Sequence, residues 1–171
     1  TILSGYENMK MTDSILQDLN DILYLNLERS MAYNVSAYAT TDLHLKGLLN
    51  RETDNARENI IKLTILVTDH FGLATEPAPT NQLLSQWSDL RTLFSANNFG
   101  DQLEAFEMAD LITVQYYSLA LSRVALDAWM KNLLDFQHNN GLALYNAIKS
   151  FREAHLSNKF RSQNVLLHQE L

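Results

Sequence analysis

The chain has no cysteine. Disulfides, thiolate nucleophiles and zinc–thiolate sites are therefore excluded, while the compartment stays open, because both cytosolic and extracytoplasmic domains do without the residue. Proline occurs twice and glycine five times in 171 residues. So few turn-formers suit long helices joined by few turns. Lys and Arg number 13 against 20 Asp and Glu, a net charge of −7. With no basic cluster to offset it, nucleic acid is disfavoured as a partner. No apolar run approaches the roughly 18 residues of a membrane-spanning helix. The alternation of a half-buried strand, a phosphate-binding glycine loop and a Ser/His triad context are missing as well.

What remains is helical periodicity. At 46% hydrophobic, the chain is long enough for one well-packed domain over 1–171 and short for two. Its organisation is clearest from Met11 to Ala39, which carries two apolar rows. Leu16, Leu19, Leu23, Leu27, Met31, Val35 and Tyr38 recur at three- and four-residue steps, the spacing of one helix face. Met11, Ile15, Ile22, Leu25 and Ala32 form a second row, whose 4-3-4-3 spacing Asp18, Arg29 and Ser36 complete. One row docks a helix on its own domain; a second, roughly opposite, suggests another subunit.

The spacing predicts a first helix to about Ala39, then Thr40, Thr41 and Asp42 as capping residues for a second that ends near Gly72. Ala74 to Thr80 holds both prolines and is the clearest break, after which Asn81 caps a short helix to Phe94. Asp101 with Glu104 has capping-box spacing and opens a long helix predicted to reach about His138. Asn139-Asn140-Gly141 reads as its stop, with a last helix beyond. The expected fold is all-α: an antiparallel up-down-up-down four-helix bundle with a short extra helix in the middle crossover. Both termini then lie at one end, the geometry required of a domain inserted between two transmembrane helices. The chain opens at Thr1 inside a helical pattern and closes on LLHQEL with no stop signal, as a segment of a longer protein would.

Chemistry-bearing residues are sparse. Counted from the two expected hairpins, Arg29, Arg51, Arg57, Arg123 and Arg152 fall in one layer of the distal half, with Glu28, Glu52, Glu58, Asp127 and Glu153 placed to pair with them at the surface. Arg29 differs, because it interrupts the second row where a dimer partner would face it. A bound anion or an acidic partner would relieve its repulsion from its mate. Arg29 and the nearby Tyr33 are thus the ligand-binding candidates, for a small anion. Ile15, Ile22, Leu25 and Ala32 are the candidates for a homodimer seam. Asp110 and Asp135 share a face with the apolar row of their helix, and a buried carboxylate there would be costly. A di-iron site needs Glu-x-x-His on two helices; the nearest form is Asp135-x-x-His138. The histidines, His44, His70, His138, His155 and His168, are scattered, and His155 reads as a core residue. No metal, cofactor or catalytic set is expected.

Leu27-Glu28-Arg29-Ser30, followed by small and aromatic residues, resembles the Glu-Arg-(Ser/Gly) segment of nitrate/nitrite-sensing helical domains. The helix layout is similar to the extracytoplasmic, all-helical sensor domains of bacterial chemoreceptors and sensor histidine kinases. The resemblance implies a homodimer paired through its first helices, in the periplasmic part of an inner-membrane receptor. The membrane would be reached only through flanking helices, and ligand binding would shift a helix that continues into it. The expected function is signal sensing without catalysis. A soluble helical interaction or scaffold domain is the alternative, and a ferritin-like metal oxidoreductase the remotest.

Overall fold

Apolar residues at three- and four-residue spacing build helices throughout the computed structural model, which describes residues 2–72, 77–123 and 126–169, with side chains placed from 12 to 162 within them. The elements are α1 (Ile2–Ala39), α2 (Leu43–Phe71), α3 (Asn81–Phe94), α4 (Phe99–Leu121) and α5 (Ala128–Gln169). No strand occurs among the described residues. The side chains of Met11, Val124, Leu166 and His168, and residues 73–76 of the proline-bearing break, lie outside the described set.

Local signals set most of the boundaries. Asp42 caps α2, its Oδ1 accepting from the Leu45 amide at 2.8 Å, and Gly72 closes that helix in the left-handed conformation at φ 66. Thr80, not Asn81, caps α3, and Asn98, three residues before Asp101, caps α4.

The second half departs from expectation. The long helix ends at Leu121, not His138, and the chain turns at 122–127. The Ser122 hydroxyl donates to the Leu119 carbonyl at 2.6 Å, Arg123 is drawn onto Asp18, and Asp127 Oδ1 accepts from the Met130 amide to open α5. Asn139-Asn140-Gly141 is no stop: it lies inside α5. Gly141 is buried, and a Cβ there would stand 3.8 Å from Val114 Cγ2 of α4. Packing on both sides of this point outweighs a helix-propensity penalty of about 1 kcal/mol.

Contacts fix how neighbours run. Residue numbers rise on α1 as they fall on α2, through Asn26–Asn59 and Arg29–Glu52, and as they fall on α4, through Asp18–Arg123, Asn26–Tyr117 and Tyr33–Asp110. The same opposition holds for α4 and α5, through Tyr117–Gln137 and Glu107–Arg152, and for α2 and α5, through His70–Asp127 and His44–Phe151. The short α3 runs alongside α1: Thr80 bonds Asp21, Trp87 and Arg91 reach Glu28, and Phe94 meets Tyr33. It therefore returns the chain along the molecule where a crossing at one end was expected. In consequence α1 and α5 point the same way, and the start of α1 and the end of α5 lie at opposite ends. The up-down-up-down order with a shared terminal end is corrected accordingly.

The two rows of α1 exchange roles. Ile15, Ile22 and Leu25, the seam candidates, are buried within the chain, and Ala32 is half-buried against the same core. Along the other row, Leu19 is 0% and Leu23 6% exposed, but Met31 is 57% and Val35 67%. Each four-residue step advances a row about 40° past a full turn, so four such steps carry it about 160° around the helix. A 4-3-4-3 row slips back only about 20° per seven residues and stays on one face. The second row is the core row, and the predicted seam is inside the molecule.

Candidate functional site

The core is divided. One apolar cluster gathers Tyr33, Leu49, Trp87, Phe106 and Ile148, and another Ile22, Leu63, Tyr117 and Leu134. Between them lies a polar layer held by α1, α2 and α4. Arg29, 1% exposed, is ion-paired to Glu52 and to Asp110 at 3.0 Å, both buried. The Tyr33 hydroxyl donates to Asp110 Oδ1 at 2.7 Å. One turn further along, Asn26 donates to the Tyr117 hydroxyl at 3.1 Å and accepts from Asn59, while Tyr117 donates to Gln137 Oε1 of α5 at 2.9 Å.

The charges in this layer do not balance if both acids ionise. Two carboxylates against one guanidinium leave a net negative charge in a dry interior, which burial makes costly. Glu52 is accordingly pushed well above the usual carboxylate range, by burial first and then by the charge of Asp110. Asp110 is raised by burial against the pull of Arg29. Burial alone would lower Arg29, but Asp110 and Glu52 together raise it, so the guanidinium stays charged. Tyr33 and Tyr117 are raised by burial and stay neutral. One proton held by the carboxyl pair makes the cluster neutral. That proton has a place, because the Glu52 and Asp110 side chains hydrogen-bond to one another, while Glu52 Oε1 and Asp110 Oδ2 accept from no other group.

Arg29 and Tyr33, the two ligand candidates from the sequence, are thus together but buried, bonded to Glu52 and Asp110. At 1% exposed, that guanidinium is not presented to an anion in solvent. The arginine layer also dissolves. Arg123 pairs with Asp18 at the other end of α1, because the hairpin from which it was counted lies elsewhere, and Arg152 pairs with Glu107. Glu52, expected at the surface, is buried: its neighbours Arg51 and Asp54 make a polar run that hides its inward position. Asp110 does lie on the buried face.

A cleft of about 660 Å³ opens one helical turn beyond the cluster, at the end where α1 meets α2, α3 meets α4 and α5 passes by. Ser36 stands one turn from Tyr33, Leu49 one turn from Glu52 and Phe106 one turn from Asp110, so the same three helices wall both features. Tyr33 joins them, its ring edge-on to Phe106 at 5.2 Å and to Phe94 at 6.1 Å. Phe94 and Phe106 lie 5.4 Å apart, and Phe99 meets His155 of α5 at 4.9 Å. His155 lines this cleft. Sequence periodicity gave Phe106 to the core but offered no sign of the cleft, which exists only where distant chain ends converge.

Among the described residues no helix is long and apolar enough to cross a membrane, and no three His, Asp or Glu side chains are grouped to hold a metal ion. No family model matches the chain, and no curated protein matches it at a significant level.

Proposed function

We propose that the chain is a non-enzymatic sensing module: an antiparallel bundle of four long helices, with α3 laid along it, that binds a small ligand in the end cleft. Binding would be passed along α1 and α5 as a helix displacement. One observation carries this reading. Three of the helices that wall the cleft, α1, α2 and α4, are tied one turn away by the Arg29–Glu52–Asp110 cluster. Buried ion clusters tolerate few arrangements, so a small spreading of those helices favours a discrete shift over gradual deformation. Beyond the cleft α5 continues to Gln169 as one helix, a rigid lever for such a shift.

The Glu28-Arg29-Ser30 likeness supports sensing but lends nothing to nitrate, since Arg29 is committed inside. The ends of α1 and α5 also lie apart, unlike those of a domain set between two membrane helices. A second reading, docking of a protein partner, is favoured by the exposure of Met31, Val35 and Tyr38 (89%) along one face of α1.

Amide chemical-shift mapping with a mixture of small amines, alcohols and carboxylates separates the two readings. Sensing predicts shifts confined to residues 35–49, 94–106 and 151–155, lost when Ser36→Trp fills the cleft. Shifts elsewhere alone, or none, would overturn it.

A further inference from the structure

We infer that the end cleft takes an organic cation: an ammonium group, primary or quaternary, on a small apolar body. This rests on the cleft being the sensing site and names the class of ligand that it selects.

The first argument is the wall. Half-buried Phe94, Phe99 and His155 line it from three separate elements, with Phe106, 2% exposed, packed against Phe94. Ring faces carry negative quadrupole density and attract ammonium groups, most strongly where water is partly excluded. The volume of about 660 Å³ suits a small organic molecule and exceeds the needs of a bare ion.

The second argument is charge. Asp42 is the one carboxylate on the lining, and no lysine or arginine contributes to it. The chain's net charge of −7 adds a field of the same sign. Two helix N-termini, of α2 and α4, open here and on their own would favour an anion. Both are capped from within the chain: Asp42 takes the Leu45 amide at 2.8 Å, and Asn98 takes the Gly100 amide at 2.8 Å. The C-termini of α1 and α3 end at the same level, and their carbonyl ends oppose the two N-termini. The two C-termini offset the two N-termini, and although Asp42 Oδ1 is engaged by its cap, its carboxylate remains the one formal charge on the lining.

The test compares three probes of one shape at pH 7: choline, its neutral carbon isostere 3,3-dimethylbutan-1-ol, and the anion 3,3-dimethylbutanoate. Binding is read from the Phe99 ring and Thr41 amide resonances. Choline should bind about tenfold more tightly than the alcohol, and the anion most weakly. Asp42→Asn removes the charge while keeping a good cap, and Phe99→Leu keeps apolar bulk without a π face. Each should cut the preference for choline severalfold. Alcohol or anion binding as well as choline, or a preference unchanged in both variants, would overturn the inference and leave the cleft as a binding site. If all three probes fail while the broader mixture shifts the cleft, the cation class falls alone. If nothing shifts the cleft, the sensing reading falls with it.

Discussion

At the scale of residues, the buried cluster makes a prediction about pH. Glu52 and Asp110 hold protons more tightly in the folded chain than in the unfolded one, where Glu52 titrates near 4.5. Below that value both states are protonated and the contribution to stability is complete. As pH rises past it, only the unfolded state releases its proton, so stability falls until the folded pKa of Glu52 is passed. Urea midpoints measured from pH 4.5 to 9 should decline for the parent and flatten for Glu52→Gln, whose amide copies the neutral acid. A parent curve that rises over this range would refute the assignment. Arg29→Met should cost about 3–5 kcal/mol at neutral pH, and less in acid, because it strands two buried acids. Replacing all three members with apolar residues of similar volume should recover most of that loss in a denaturation series. Arg29 and Asp110 were legible in sequence because each is a polar residue on an apolar row, and Tyr33 only as the aromatic nearest Arg29. Glu52 was not, because only the packed position of α2 distinguishes it from the charged residues around it.

At the scale of elements, the sequence carried most helix boundaries and misled where a turn signal met strong packing. Asp42 and Gly72 were readable because capping is local chemistry. The turn at 122–127 carries neither glycine nor proline, and it forms where Arg123 meets Asp18 and Asp127 meets His70, partners distant in the chain. Asn139-Asn140-Gly141 has the composition of a stop, yet Gly141 sits in an unbroken helix without a positive φ. That difference can be measured. In a helix, with a Cβ 3.8 Å from Val114, Gly141→Ala should raise stability by about 0.5–1 kcal/mol through helix propensity and a less free unfolded chain. In a left-handed hairpin position the same change would destabilise. A loss of stability in urea titration would therefore restore the hairpin. The two rows of α1 teach a related lesson. Counting apolar residues could not choose between them, but the accumulated angle of repeated four-residue steps does.

At the scale of the whole molecule, the place of one turn decides the topology. A hairpin at 139–141 gives four long alternating helices and joins both termini at one end. Moving the turn to 122–127 shortens α4, and α3 becomes a return segment alongside α1. Five alternating runs are odd in number, and an odd number separates the ends. The composition already implied all-α packing, but parity depends on one turn, and no average over the sequence recovers it. The absence of cysteine makes the consequence measurable, because introduced thiols label without competition. Asp13 and Lys159 are exposed near the start of α1 and towards the end of α5. His155 lies level with Thr40 beside the cleft, which puts the two sites about 45 Å apart along the axis at 1.5 Å per residue. A shared-end arrangement would bring them within about 10–20 Å, one or two helix spacings. Electron–electron double resonance on the Asp13→Cys, Lys159→Cys variant distinguishes these ranges cleanly. A distance near 45 Å supports the order of helices derived from the contacts and the lever in which α5 leads away from the cleft. A distance below about 20 Å would return the termini to one end and remove the geometrical basis of that lever.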